Sequence, residues 1–201
     1  MEAVTATAHA PMSDQSRARL IGAAGVIIIF LGAGAAALPL LDRVSGSRVV
    51  GVLLMAAGIV EILAGSLRRE TRLPAMLAGG VTAAAALWFL LNQDGRFVPA
   101  VTIVTAWLLV RSLVLGVASR IATGAVRTWI TFSAATDFLL GVVLIAGISI
   151  ATLVVTLFGP TPALVASFAW VLALSFVITG ALLMQIASCE RDAADGVTRL
   201  Q

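Results

Sequence analysis

Long apolar stretches alternate with short polar punctuation along the chain. From Leu20 to Leu41 there is no charged residue, and Arg19 and Asp42 bound the run. Val49 to Leu67 is apolar apart from Glu61, Leu73 to Gln93 is uncharged, and Phe97 to Ser119 is interrupted only by Arg111. Beyond Arg127 the sole charge before Glu190 is Asp137, which leaves a stretch too long for one bilayer crossing. Phe158-Gly159-Pro160-Thr161-Pro162 divides it, because proline cannot continue a helix and restricts the residue before it. A spanning helix takes about 20 residues to cross roughly 30 Å of hydrocarbon. The pattern predicts an all-α integral membrane protein of six transmembrane helices, at about 20–41, 49–67, 73–93, 97–119, 129–157 and 163–188. They make up a membrane domain over 17–189, between a disordered tail over 1–16 and a second tail over 190–201.

Arginine placement orients the spans. Arg17, Arg19, Arg68, Arg69, Arg72, Arg120, Arg127, Arg191 and Arg199 fall on one side, and only Arg43, Arg48 and Arg96 on the other. Cytoplasmic loops carry the excess of basic residues, so both termini are expected inside the cell. Residues 1–16 lack the charged start and short apolar core of a cleaved signal, so the first run reads as a permanent span.

Composition agrees. The 201 residues are 60% hydrophobic and 11% charged, against about 45–50% and about 25% in an ordinary soluble domain. The sequence pI of 10.9 would suggest nucleic-acid binding in a soluble protein, but the arginines form no basic stripe interleaved with stacking aromatics. Lysine is absent while Ala, Gly, Val and Arg abound, a usage that points to GC-rich coding and a bacterial inner membrane. A single cysteine, Cys189, excludes an internal disulfide and any CxxC motif, and the single histidine, His9, lies in the tail. No enzyme activity, cofactor or metal is expected. The implied partners are the lipid bilayer and, as an open alternative, further copies of the chain; the residues name no small-molecule ligand.

A weak internal repeat runs through the even-numbered helices. Gly58 to Ser66, Arg111 to Ser119 and Gly180 to Ser188 each pass from a marked position to a serine eight residues on, after Leu/Val/Ala runs. The simplest architecture is three consecutive helical hairpins, although low-complexity segments can also align by chance. Ala37-Leu-Pro-Leu-Leu-Asp-Arg-Val-Ser-Gly46, followed by Val49-Val-Gly51 and on to Gly58, resembles the first hairpin of the HdeD family. Trp129, Ser133 and Asp137 match the way that family opens its fifth helix, and the resemblance extends over residues 18–190. It implies a small six-helix bacterial inner-membrane protein linked to acid resistance. The stretch from Trp129 to Pro162 is longer than the resemblance implies, which leaves the bounds of the fifth helix open.

Three ionisable residues inside spans carry the candidate chemistry. A charge at the bilayer centre costs at least about 2.5–3.5 kcal/mol, so it needs a partner or a watery cavity. At a rise of about 1.5 Å per residue, Glu61, Arg111 and Asp137 fall at similar depth in the half nearer the cytoplasm. Gly51, Gly58 and Gly65 form one stripe of small residues that Glu61 shares, and Ser133, Asp137 and Gly141 form another. Gly25, Gly32 and Ala36, with Ala173 and Gly180, offer further close approaches, since small residues let membrane helices pack backbone to backbone. Arg111 is expected to pair with Asp137, Glu61 or both. Two roles fit: fixing helix register, or binding a proton on the surplus carboxylate. The expected function is non-enzymatic acid or envelope-stress tolerance. The alternative is a small proton-coupled transporter or channel using the same three residues. Trp88, Trp129 and Trp170 read as interfacial anchors, Trp107 as packing, Cys189 as an idle thiol, Asn92 to Gly95 as a turn, and Glu190, Arg191, Asp192 and Asp195 as a solvated tail.

Overall fold

A computed structural model describes residues 14–37, 46–68, 71–91, 99–158 and 163–198, with backbone alone over 46–47, 147–158, 163–170 and 193–198. Among them are six α-helices and no strand: α1 Asp14–Ala37, α2 Gly46–Ser66, α3 Arg72–Leu91, α4 Ala100–Ile121, α5 Gly124–Phe158 and α6 Ala163–Thr198. Each is long and apolar enough to cross a membrane. The chain is a multi-pass membrane protein. Its surface says the same: Phe30, Leu73, Leu91 and Leu113 are 69–76% exposed, while Glu61, Thr82, Arg111, Ser133, Asp137, Ser175 and Thr179 are buried. Large apolar side chains on the outside are tolerable only where lipid replaces water.

Helix bounds differ from the sequence reading mainly around α5 and α6. α4 and α5 are joined by Ala122 and Thr123 alone, so the helix begins ahead of Trp129. Gly124 makes that tight reversal with a φ of 56°, a left-handed conformation that costs glycine little. α5 has 35 residues and α6 has 36, or roughly 52 and 54 Å of helix against about 30 Å of hydrocarbon. Both project past the lipid. α6 runs on through the segment expected to be a solvated tail, and Glu190 there is ion-paired to Arg17 on α1 at 3.1 Å. α1 likewise starts at Asp14, inside the expected tail, where an acid suits the positive end of the helix dipole and pairs with Arg17 at 3.2 Å. His9, Arg43, Arg69, Asn92 to Arg96, Pro160, Pro162 and Arg199 lie outside the described residues, as do the side chains of Trp170 and Asp195.

Consecutive helices neighbour one another, as three hairpins require, but the most extensive contacts join α1 to α6, α2 to α3 and α4 to α5. Intimate packing therefore lies between the expected hairpins rather than within them, and α6 against α1 closes the ring. Small residues explain the choice. A Cβ on Gly58 would lie 2.7 Å from the backbone N of Ala83 and 3.0 Å from the Gly79 carbonyl, and one on Gly65 2.9 Å from the backbone N of Met76. A Cβ on Gly51 would meet Phe89 and Leu90 at 3.0–3.2 Å. Across α1 and α6, a Cβ on Gly25 would stand 2.7 Å from the Gly180 carbonyl, and one on Gly180 2.6 Å from the Gly25 carbonyl. Between α4 and α5, Gly141 receives Leu109. The repeat acquires a structural meaning here: its marked positions, Gly58, Arg111 and Gly180, are the points where α2, α4 and α6 each meet their closest partner.

Candidate functional site: a buried carboxylate–arginine cluster

Gly58 and Gly65 press α2 against α3 and turn the face of α2 that carries Glu61 toward the bundle interior. Gly141 does the same for Asp137 on α5 against α4. The three ionisable residues then converge within one chain. Arg111 Nη2 donates to Glu61 Oε1 at 2.5 Å and to Thr179 Oγ1 at 2.8 Å. Arg111 Nη1 donates to Asp137 Oδ2. The remaining carboxylate oxygens are also met. Ser175 Oγ donates to Asp137 Oδ1 at 2.8 Å, and Thr82 Oγ1 reaches Glu61 Oε2 at 3.3 Å, with the Ala78 carbonyl as a second acceptor at 3.1 Å. Trp107 Nε1 donates to Thr82 Oγ1 at 3.1 Å, its ring lies 5.9 Å from the Arg111 guanidinium, and it packs edge-to-face with Phe176.

Glu61, Arg111 and Asp137 are 7%, 2% and 1% exposed, so bulk water is excluded. Two carboxylates facing one guanidinium give a formal charge of −1 when all are ionised. Uptake of one proton makes the cluster neutral, and that is the chemistry this arrangement can perform. Five helices contribute, α2 through α6. α1 is tied in separately, through Gly25 against Gly180 and through Arg17 with Glu190.

Sequence reading found the three charges but not their hydroxyl and indole partners. Ser175 and Thr179 stand four residues apart, a same-face spacing that marks them as a pair. Thr82 carries no such signal. Trp107, expected to be packing alone, is also a donor in the network. Ser133, one turn from Asp137, is buried, but its hydroxyl has no hydrogen-bond partner. Gly116 on α4 has nothing within 4 Å of its Cβ position. Trp88 is half exposed on the outer surface. With Trp107 and Ile103 it lines an open-sided apolar groove of about 420 Å³ between α3 and α4.

Arg68 departs most from expectation. Placed by sequence in the connection between α2 and α3, it is 9% exposed, and its Nε has no hydrogen-bond partner. Burial pushes its pKa down to about 10, partly offset by Glu61 and Glu190. It is still a cation at neutral pH.

No family model, curated protein or solved structure matches this chain. The site is therefore read from its own residues.

Proposed function

We propose that this chain is an HdeD-like protein of the bacterial inner membrane that contributes to acid or envelope-stress tolerance without catalysing a reaction. In this reading the buried cluster binds a proton, and the loss of its surplus negative charge changes how the helices pack. One observation carries it. Arg111 bridges two carboxylates that are both nearly inaccessible, so they exceed the cation they contact by one negative charge, and the next buried cation, Arg68, acts on Glu61 only at a distance. Such a site responds to acid because the charge that protonation removes is the one the core holds at greatest cost. The residues from Ala37 to Gly58 and the Trp129, Ser133, Asp137 row support the family reading.

The test is survival at low pH of cells lacking the protein, complemented with wild type or with Asp137→Asn at equal membrane level. Rescue by wild type but not by the variant supports both the acid role and the cluster. Equal rescue leaves the acid role and assigns the cluster to register alone. Absence of rescue by wild type overturns the reading.

A second reading, a small proton-coupled transporter or channel, draws on the buried polar atoms without partners that flank the cluster. Flux of protons or a labelled solute across proteoliposomes, abolished by Glu61→Gln with Asp137→Asn, would favour it.

A further inference from the structure

α3 and α4 pack less closely than the glycine-fitted pairs, and the apolar groove of about 420 Å³ runs between them. Its volume falls within the range of about 300–1,000 Å³ usual for small-molecule sites. Alanine makes the space. Ala84 and Ala85 on α3 and Ala106 on α4 line the groove where larger side chains would close it. Ala84, Trp88, Ala106 and Val110 are exposed, so it opens sideways from the bundle. Ile103 and Trp107, 8% and 3% exposed, form its floor. Among the described residues no charged side chain lines it.

Position along the helices indicates the occupant. Val81 and Val110 lie at the middle of α3 and α4, and the groove runs from them toward the connection between the two helices. It reaches Trp88 and Thr102, about 10 and 12 Å away by helical rise. That is most of one leaflet, half of about 30 Å of hydrocarbon. Past the middle, bulky Leu77, Leu113 and Val117 stand exposed on the same two helices. A second copy's helix, about 10–12 Å across and running the full depth, would ride over them rather than follow a groove of half its length. Trp107 donates its N–H to Thr82, and the other polar groups of the lining, on Trp88 and Thr102, lie at the end nearer the bilayer surface. An apolar groove left unfilled forfeits dispersion contacts along its walls, and hydrocarbon chains are the medium at this depth.

We propose that the α3–α4 groove binds one acyl chain of a membrane phospholipid, and that this chain steadies the ion cluster through Trp107. The headgroup stays at the end marked by Trp88 and Thr102, and the chain reaches the level of Val81 and Val110. Trp107 separates groove from cluster by the thickness of one side chain. Its ring borders the groove, while its Nε1 donates to Thr82 Oγ1 at 3.1 Å, and that hydroxyl reaches Glu61 Oε2 at 3.3 Å. Phe176 and the Arg111 guanidinium also border the ring. A chain in the groove packs the side that these residues leave open, so the ring is held in its bond to Thr82. Without the chain the ring is free to tilt, and Glu61 loses a hydroxyl fixed in place. Occupancy of the groove does not depend on proton binding by the cluster.

The test places the full chain in phosphatidylcholine nanodiscs with Trp88→Phe, Trp129→Phe and Trp170→Phe, which leave Trp107 as the sole indole. Bromine on a lipid chain quenches indole emission on contact. Trp107 is 3% exposed, so contact requires a chain in the groove. It lies about 5 Å from the middle of α4 by helical rise. Bromines in the half of the chain away from the headgroup are therefore expected to quench most of its emission, and bromines beside the headgroup little. Ala84→Leu with Ala106→Leu fills the groove from both walls and should restore the emission several-fold. Unquenched emission, stronger quenching from the headgroup end, or equal quenching in the filled groove would overturn the proposal. Unquenched emission in a dimer that the two leucines dissociate would assign the groove to a second copy instead. Should the tryptophan variants fail to insert, native mass spectrometry of the unaltered protein decides. One phospholipid retained through detergent washing, and lost on filling the groove, supports the site, and none retained refutes it. The link to the cluster is read separately. Added phospholipid is expected to raise the unfolding temperature of wild type in detergent, and far less that of Thr82→Val, which keeps the groove but removes the acceptor of Trp107. An equal rise in both would sink the link.

Discussion

Arg111 and Arg68 are both buried cations, yet their surroundings predict opposite responses to removal. Arg111 neutralises one of two inaccessible carboxylates and donates to Glu61, Asp137 and Thr179. Arg111→Leu leaves both carboxylates without a cation, and breaking a buried pair in this way costs about 3–5 kcal/mol. A large drop in thermal stability in detergent, followed by circular dichroism, is the expected outcome. Combining Arg111→Leu with Glu61→Gln and Asp137→Asn should restore much of it, since the stranded charges are gone. Arg68 has no such partner, and burial already disfavours its charge. Arg68→Leu is therefore expected to raise the same unfolding temperature, and a fall would mean that Arg68 holds the turn after α2 together. The three intramembrane charges were legible in the sequence because an apolar background makes a single charge conspicuous. Arg68 was not, because a loop arginine and a buried one look alike until the helices around it are placed.

Glycines are the elements' recognition code, and the structure separates those that matter from those that do not. Gly58 and Gly180 sit where a side chain would run into backbone of the partner helix. Gly58→Leu and Gly180→Leu should force α2 from α3 and α6 from α1, seen as lost thermal stability. Gly80 and Gly116 have nothing within 4 Å of the Cβ position. Gly80→Ala and Gly116→Ala should be neutral or stabilise by up to about 1 kcal/mol, the helix-propensity gain. The stripe Gly51, Gly58, Gly65 was visible from its spacing alone. Its counterpart Gly79 on α3 was not, since one of two adjacent glycines gives no hint of which faces a neighbour.

Across the whole molecule, closure of the ring by the first and last helices is the feature most open to test. A Cβ on Gly22 would stand 3.5 Å from the Ala187 Cβ, within the separation of about 3.5–4.5 Å that a disulfide spans. In a Cys189→Ala background, Gly22→Cys with Ala187→Cys should form an intramolecular disulfide under mild oxidation, detected as a mobility shift reversed by reductant. Dimer-sized products instead would mean that α1 meets α6 of another copy.

Length and polarity along the chain determined by themselves that there are six helices, roughly where they lie, and that Glu61, Arg111 and Asp137 sit at one depth. These are one-dimensional properties, set by the thickness of a bilayer and the rise of a helix. Which helix packs closely with which was decided only in three dimensions. Chain order favours α1 with α2, whereas the fit of Gly25 against Gly180 and Gly58 against Gly79 joins α1 to α6 and α2 to α3. The same packing chose the hydroxyls of Thr82, Ser175 and Thr179 as partners of the ions, and it buried Arg68. A contact between residues far apart in sequence depends on shape complementarity that no local pattern encodes.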